Sequence, residues 1–298
     1  HHHGEDFNLA TALRQTSTGW LWKWIFYMPM ILLGVPVEVF IAVAGVNLVY
    51  QFWVHTEHIG HLGWMEKVFI TPMNHGIHHA KNKEYIDANY GGVFIIWDRM
   101  FGTYTAQRPD LKPVYGTATP LNSWNPLWAN FQVFSIMIKD TIKTKSWRDK
   151  VKVWFSQTYW RPDDCIEEKN PDDFYKKFNP KVTSDIKIFG FFQMLFTIAV
   201  SGSVLTFVSS HAYHEIAAFG IIILFISSLT GYLMQAKVLA YRMILFFAFF
   251  TILGIYYFEF ISLDLLSTKL LLAQLYMNIL AVIATYSMQS LQNIKILE

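Results

Sequence analysis

Residues 20–55 read WLWKWIFYMPMILLGVPVEVFIAVAGVNLVYQFWVH. The apolar run from Trp20 to Val54 is too long for one helical crossing of a hydrocarbon core about 30 Å thick. It is interrupted by Gly34-Val35-Pro36, and a proline in a helix interior loses a hydrogen bond and clashes with the preceding turn. The expectation is two apolar helices of about 15–17 residues, each about 25 Å long at ~1.5 Å per residue, forming a hairpin that enters and returns. The aromatic-rich Trp20–Trp24 stretch at its start suits the membrane–water interface.

Histidines flank this hairpin. His1-His2-His3 lie before it, His55-Thr56-Glu57-His58-Ile59-Gly60-His61 follow at once, and His75-Gly76-Ile77-His78-His79 come shortly after. Residues three and four apart share a helix face, so His75, His78 and His79 can point at one place. Neutral imidazole is a ligand for iron, copper, zinc and nickel. If residues 1–3, 55 and 75–79 share metal, the chain between them must leave and come back to one face. A broken hairpin does this and a single span does not. The N-terminal histidines are read as protein rather than an affinity-tag remnant, because Leu9-Ala10-Thr11-Ala12-Leu13 follows with no Gly/Ser linker. His58 and His61 are better read as a solvated helix end. His211 and His214 are read as loop polarity on the far side.

Composition gives the setting. Of 298 residues, 53% are hydrophobic and 17% aromatic, and 15% are charged, against about 25% charged in soluble domains. Four further apolar runs, Ile188–Ser209, Ile216–Leu233, Met243–Ile261 and Leu270–Ser287, are each long enough to span a bilayer. Short connections predict antiparallel neighbours. Lys187, Lys237, Arg242 and Lys295 fall on one side, with Lys269 the exception, and the positive-inside tendency makes the Lys187 end cytoplasmic. The fold class expected is all-α: a polytopic helical membrane protein with a histidine-ligated metal site at the cytoplasmic face. Three regions are expected: 1–135 with the histidines, 136–187 as a polar membrane-surface segment, and 188–298 as a four-helix transmembrane region.

Several function classes are disfavoured. A net charge of +2 is too small to argue for nucleic acid, and the single cysteine, Cys165, excludes an intrachain disulfide and a cysteine-based zinc finger. No HExxH is present, which weakens a zinc hydrolase. A membrane metal transporter or sensor would put histidines and carboxylates within the spans, whereas the strongest clusters here lie beside them.

Several longer motifs carry a resemblance. Gln51-Phe52-Trp53-Val54-His55-Thr56-Glu57 is one. Thr71-Pro72-Met73-Asn74 leading into His75–His79 is another. Asn89-Tyr90-Gly91 continuing to Trp97-Asp98 and Phe101-Gly102-Thr103 is a third. The last is His1-His2 with Glu5, Asn8 and Ala12-Leu13-Arg14-Gln15. Together they resemble the fatty acid hydroxylase/sterol desaturase superfamily, in its ether-lipid-cleaving branch, strongly over residues 1–105. The resemblance implies a di-iron, O2-dependent monooxygenase with His1, His2, His55, His75, His78 and His79 as metal ligands. It implies Glu5, Asn8, Asn74, Asn89 and Asp98 as residues around the ligands, where helix-cap and turn roles are equally open. It implies two iron ions, tetrahydropterin or an electron-donor protein as reductant, and a lipid substrate whose O-alkyl bond is cleaved after hydroxylation. The nearest alternative is a sterol desaturase or fatty acid hydroxylase on the same metal site. The superfamily's first histidine box, and the first histidine of its second, would precede His1. The expectation is therefore of an N-terminally truncated portion that is inactive on its own.

Overall fold

The computed structural model describes residues 1–14, 19–157, 160–166, 174–237 and 239–297, with backbone alone at Trp20 and 284–297. Gln15 and parts of the 136–187 segment, at 158–159 and 167–173, lie outside the described residues. The described chain is helical; its only β pairings there are isolated bridges, Phe69 with Phe94 and Ala80 with Tyr115. It divides into two compact units, residues 1–122 with 130–178, and residues 123–129 with 179–298.

In the first unit a short helix, α1 (Leu9–Ala12), is followed by the apolar hairpin. Its arms are α2 (Gly19–Leu32) and α3 (Val37–Trp53), of 14 and 17 residues. The break falls where the sequence puts it. Gly34 turns the chain with φ +78°, a conformation that costs glycine little, and Pro36 is the N-cap of α3. No residue of α3 is buried, and Phe26, Leu32, Leu33, Val46 and Val49 are largely exposed. Helices apolar all round belong in a hydrocarbon environment. Val46→Lys would place a charge there, at about 2.5–3.5 kcal/mol on the insertion scale. In bilayers, amide hydrogen exchange along α3 is expected to quicken roughly tenfold to a hundredfold; an unchanged rate would show that α3 does not lie in lipid.

After the hairpin come α4 (Pro72–His78) and α5 (Ile96–Phe101), then α6 (Pro126–Lys143) and α7 (Trp147–Phe155). Helix α4 begins as its sequence requires: Thr71 accepts from the Asn74 N–H as N-cap, and Pro72 occupies the first turn, where no N–H is needed. Beyond α6, Asp140 is 3% exposed and is held by Arg161 through two bonds of 2.7 Å. A buried carboxylate needs such pairing. The lone Cys165 is buried beside it.

The second unit holds α8 (Ser184–Thr206), α9 (Tyr213–Leu233), α10 (Leu239–Phe258) and α11 (Leu266–Leu297). All four are long and apolar enough to cross a bilayer, and the chain is an integral membrane protein. Their shared core includes Val200, Phe219, Ile255, Leu271 and Leu275. The ends differ from expectation. Each helix starts three or four residues earlier than its apolar run, because the helix boundary follows the backbone turn and not the first apolar side chain, and α11 runs on to Leu297. His211 also differs. It is buried, not a solvated loop residue, and its Nε2 lies 3.1 Å from Ser267 Oγ. Packing against α11 draws it in, whereas His214 stays exposed.

Candidate metal centre

Three pieces of the first unit bring imidazoles to one place. The N-terminal segment supplies His1 and His2, the residue after the C-cap of α3 supplies His55, and α4 supplies His75 and His78 with His79 as its C-cap. Helix α4 puts its three histidines on one side because they are spaced three and four apart. The hairpin returns the chain from the N-terminal histidines to His55. The Nε2 atoms of His55, His75 and His79 form a triangle with edges of 3.1, 3.2 and 3.2 Å. Ligand nitrogens of His1, His55 and His79 all fall within 4.8 Å of one another. His2 stacks on His79 with ring centroids 4.4 Å apart and meets His78 edge-on at 4.8 Å. His78 lies 5.4 Å from His75. All six histidines are therefore in one cluster. His58 is exposed, and His61 instead pairs with Glu66 at 2.5 Å.

Hydrogen bonds set the ring tautomers. His55 Nδ1 lies 2.5 Å from the Gln51 carbonyl, His78 Nδ1 lies 3.0 Å from the Ala88 carbonyl, and His1 Nδ1 lies 3.3 Å from the Arg14 carbonyl. A carbonyl can only accept, so each Nδ1 carries the proton and each Nε2 keeps its lone pair. For His55 that lone pair points into the triangle. Two nitrogens sharing an ion at about 2.1 Å with a near-octahedral or tetrahedral angle lie about 3.0–3.4 Å apart. The observed edges fit that spacing, and the donor set fits a cation with nitrogen preference.

The surroundings are apolar. Phe7 is 3% exposed, with ring centroids 5.4 Å from His55 and 5.3 Å from His79, and it stacks on Tyr115 at 5.0 Å. This desolvation is the main cause that lowers the proton affinity of His55, His75 and His79, and the other imidazoles add to it; at His55 the Gln51 carbonyl acts against it. Burial also pushes the Tyr115 hydroxyl up, and the adjacent Glu57 carboxylate adds to this. Phe7 and Tyr115 had no signature in the sequence that separated them from ordinary core aromatics.

Residues expected around the ligands are found one step further out. Asp98 accepts from the N–H groups of Tyr90 and Gly91 at 2.7 and 2.9 Å and from Thr103 Oγ1 at 2.6 Å. Asn74 donates to the Glu66 and Phe69 carbonyls, Asn8 caps α1 through Thr11 N–H, and Glu5 accepts from the Phe178 N–H. Asn89 is fully buried at φ +54°, donates to the Asn74 and Thr105 carbonyls and accepts from the Thr105 N–H. It fixes the residue next to Ala88, whose carbonyl orients His78. The imidazole protons of His1, His55 and His78 thus meet main-chain carbonyls, not the side chains singled out from the sequence.

A fatty acid hydroxylase family model matches residues 1–103. An alkylglycerol monooxygenase from Xenopus tropicalis is 36% identical over 205 residues, 67% of this chain and 45% of that protein. The Homo sapiens alkylglycerol monooxygenase is 41% identical over 162 residues, 54% of this chain and 36% of that protein. An ornithine lipid hydroxylase, OlsE, from Rhizobium tropici is 32% identical over 77 residues, 26% of this chain and 23% of that protein. The chain spans less than half the length of these relatives. No solved structure matches it. Residues 1–103, which carry all six clustered histidines, match the fatty acid hydroxylase family model, and the chain is similar to the alkylglycerol monooxygenases.

Proposed function

We propose that the protein is part of a membrane di-iron oxygenase that hydroxylates a lipid C–H bond, with O-alkyl cleavage of an ether lipid as the reaction. The observation that carries this reading is the triangle of buried imidazole nitrogens in a chain similar to alkylglycerol monooxygenases. His1, His2, His55, His75, His78 and His79 would hold two irons, which when bound supply the redox chemistry with dioxygen that side-chain acids and bases lack. Tetrahydropterin or an electron-donor protein would provide the electrons. The chain's own residues do the rest. The carbonyls of Gln51 and Ala88 keep His55 and His78 in the ligating tautomer. Phe7 and Tyr115 keep water from one side of the cluster. The α2–α3 hairpin gives the site its continuity with lipid, since the chain passes directly from α3 to His55.

The same site acting on another lipid is the second reading, and the match to an ornithine lipid hydroxylase supports it. We place the histidine face on the cytoplasmic side, as the cationic residues Lys187, Lys237 and Arg242 favour.

The test is turnover by the whole oxygenase of which this chain is a part, purified in detergent and loaded with iron under reducing conditions. Pterin-dependent release of an aldehyde from an alkylglycerol is expected, with about two irons per chain and loss of both in a His78→Ala, His79→Ala variant. Iron binding with turnover of a sterol or acyl lipid instead would establish the second reading. Protein that takes up no iron would end both.

A further inference from the structure

The four-helix unit contains a cavity of about 480 Å³ between α8, α9 and the segment around Trp124. Its volume suits one small ligand or one lipid chain, and it opens outward where Met194 is 51% and Ile198 60% exposed. One wall is apolar, with Trp124, Met194, Ile198 and Met234. The other carries Gln193, Thr197, Ser227 and Thr230, and no charged side chain lines the cavity among the described residues. Polar groups inside a membrane span are costly and mark functional positions.

These groups belong to a built network. Gln193 is 2% exposed, Gln274 1% and Asn278 3%. Gln193 donates to Asn278, while Gln274 Nε2 donates to Gln193 Oε1 at 2.9 Å and to Thr197 Oγ1 at 3.1 Å. Thr197 Oγ1 accepts there, so its own hydroxyl proton is left to donate. Thr230 does the reverse: it donates to the Ile226 carbonyl at 2.8 Å and keeps lone pairs to accept. With the Ser227 hydroxyl beside them, the wall offers both donors and acceptors on facing helices, and a hydroxyl both accepts and donates. An ester or a quinone only accepts. The two methionines give the opposite wall flexible thioethers that adapt to a mobile chain better than to a rigid ring system.

We propose that this cavity binds a single-chain lipid with an uncharged, hydroxyl-bearing head, the head on Thr197 and Thr230 and the chain along Met194 and Met234. The site belongs to the four-helix unit and stands whether or not the histidines bind iron.

The test is photolabelling of the chain, without added metal, in phosphatidylcholine nanodiscs with a monoalkylglycerol carrying a diazirine on its chain. Label is expected on α8 and α9 near Met194 and Met234, reduced at least tenfold by Ser227→Phe, which fills the cavity. Thr230→Val keeps the volume and removes the acceptor. It is expected to lower labelling several-fold while leaving that by a fully O-methylated analogue, which cannot donate, unchanged. Label spread along the outer faces of all four spans, or unaffected by Ser227→Phe, overturns the site. Equal effects of Thr230→Val on both probes overturn the hydroxyl assignment. Stronger labelling by a sterol probe overturns the single-chain assignment.

Discussion

Replacing His79 with alanine is expected to weaken metal binding by more than 100-fold. His79 stands at the centre of the cluster. Its Nε2 closes two edges of the nitrogen triangle, at 3.1 and 3.2 Å, and its ring also contacts His1 and His2. Loss of a group that only orients a ligand costs about 10–100-fold in affinity, so loss of a nitrogen facing two others costs more. Anaerobic titration with Fe2+, or with Co2+ read by its visible absorption, measures the change. His61→Ala is the control. That ring is exposed and paired with Glu66, and affinity within about twofold of the parent is expected. Equal losses at His61 and His79 would mean that general destabilisation, not ligand removal, is being measured. Retained affinity in His79→Ala would remove the triangle from the metal site.

Much of this cluster was legible because its logic is one-dimensional. The spacing of His75, His78 and His79 fixes them on one side of a helix whose start is written in Thr71-Pro72. The Gly34–Pro36 break forces the apolar stretch to return, and the return explains how His55 meets residues before the hairpin. The four spans were equally readable, because length and hydropathy alone set a crossing.

What was not legible depends on the third dimension. Carbonyl oxygens have no signature in a sequence, so the Gln51 and Ala88 carbonyls that hold His55 and His78 were missed while carboxylate and amide side chains drew attention. Asp98 and Asn89 are strongly constrained, but by loop geometry: one gathers two backbone N–H groups and a hydroxyl, and the other spans two segments of chain. Phe7 is one of 25 phenylalanines, and only its packing distinguishes it. The polar network of Gln193, Gln274 and Asn278 was hidden for the same reason, since Gln193 lies on α8 while Gln274 and Asn278 lie one turn apart on α11, and the three meet only when the two helices pack.

Acid is expected to unfold the metal-free first unit steeply, and bound metal to oppose this. His75 and His79 have lowered proton affinity in the folded protein, chiefly through burial, whereas in the unfolded chain they titrate near the usual ~6.5. Above that value both states carry neutral rings and the two groups add no pH dependence. Below it the unfolded chain takes up protons that the folded chain excludes, so stability falls as pH falls. One group that protonates only on unfolding contributes up to about 1.4 kcal/mol per pH unit, and the two together approach about 2.7. Between pH 6.5 and 5 the loss is therefore a few kcal/mol, a large part of the stability of an ordinary domain. Denaturant titrations of the metal-free protein across that interval, read by hydrogen exchange over residues 72–79, measure the slope. Metal binds the deprotonated rings of the folded state, so a saturating ion should move the transition to lower pH. A flat profile in the metal-free protein would mean that water reaches His75 and His79 despite Phe7, and the apolar covering would then not be what holds these rings neutral.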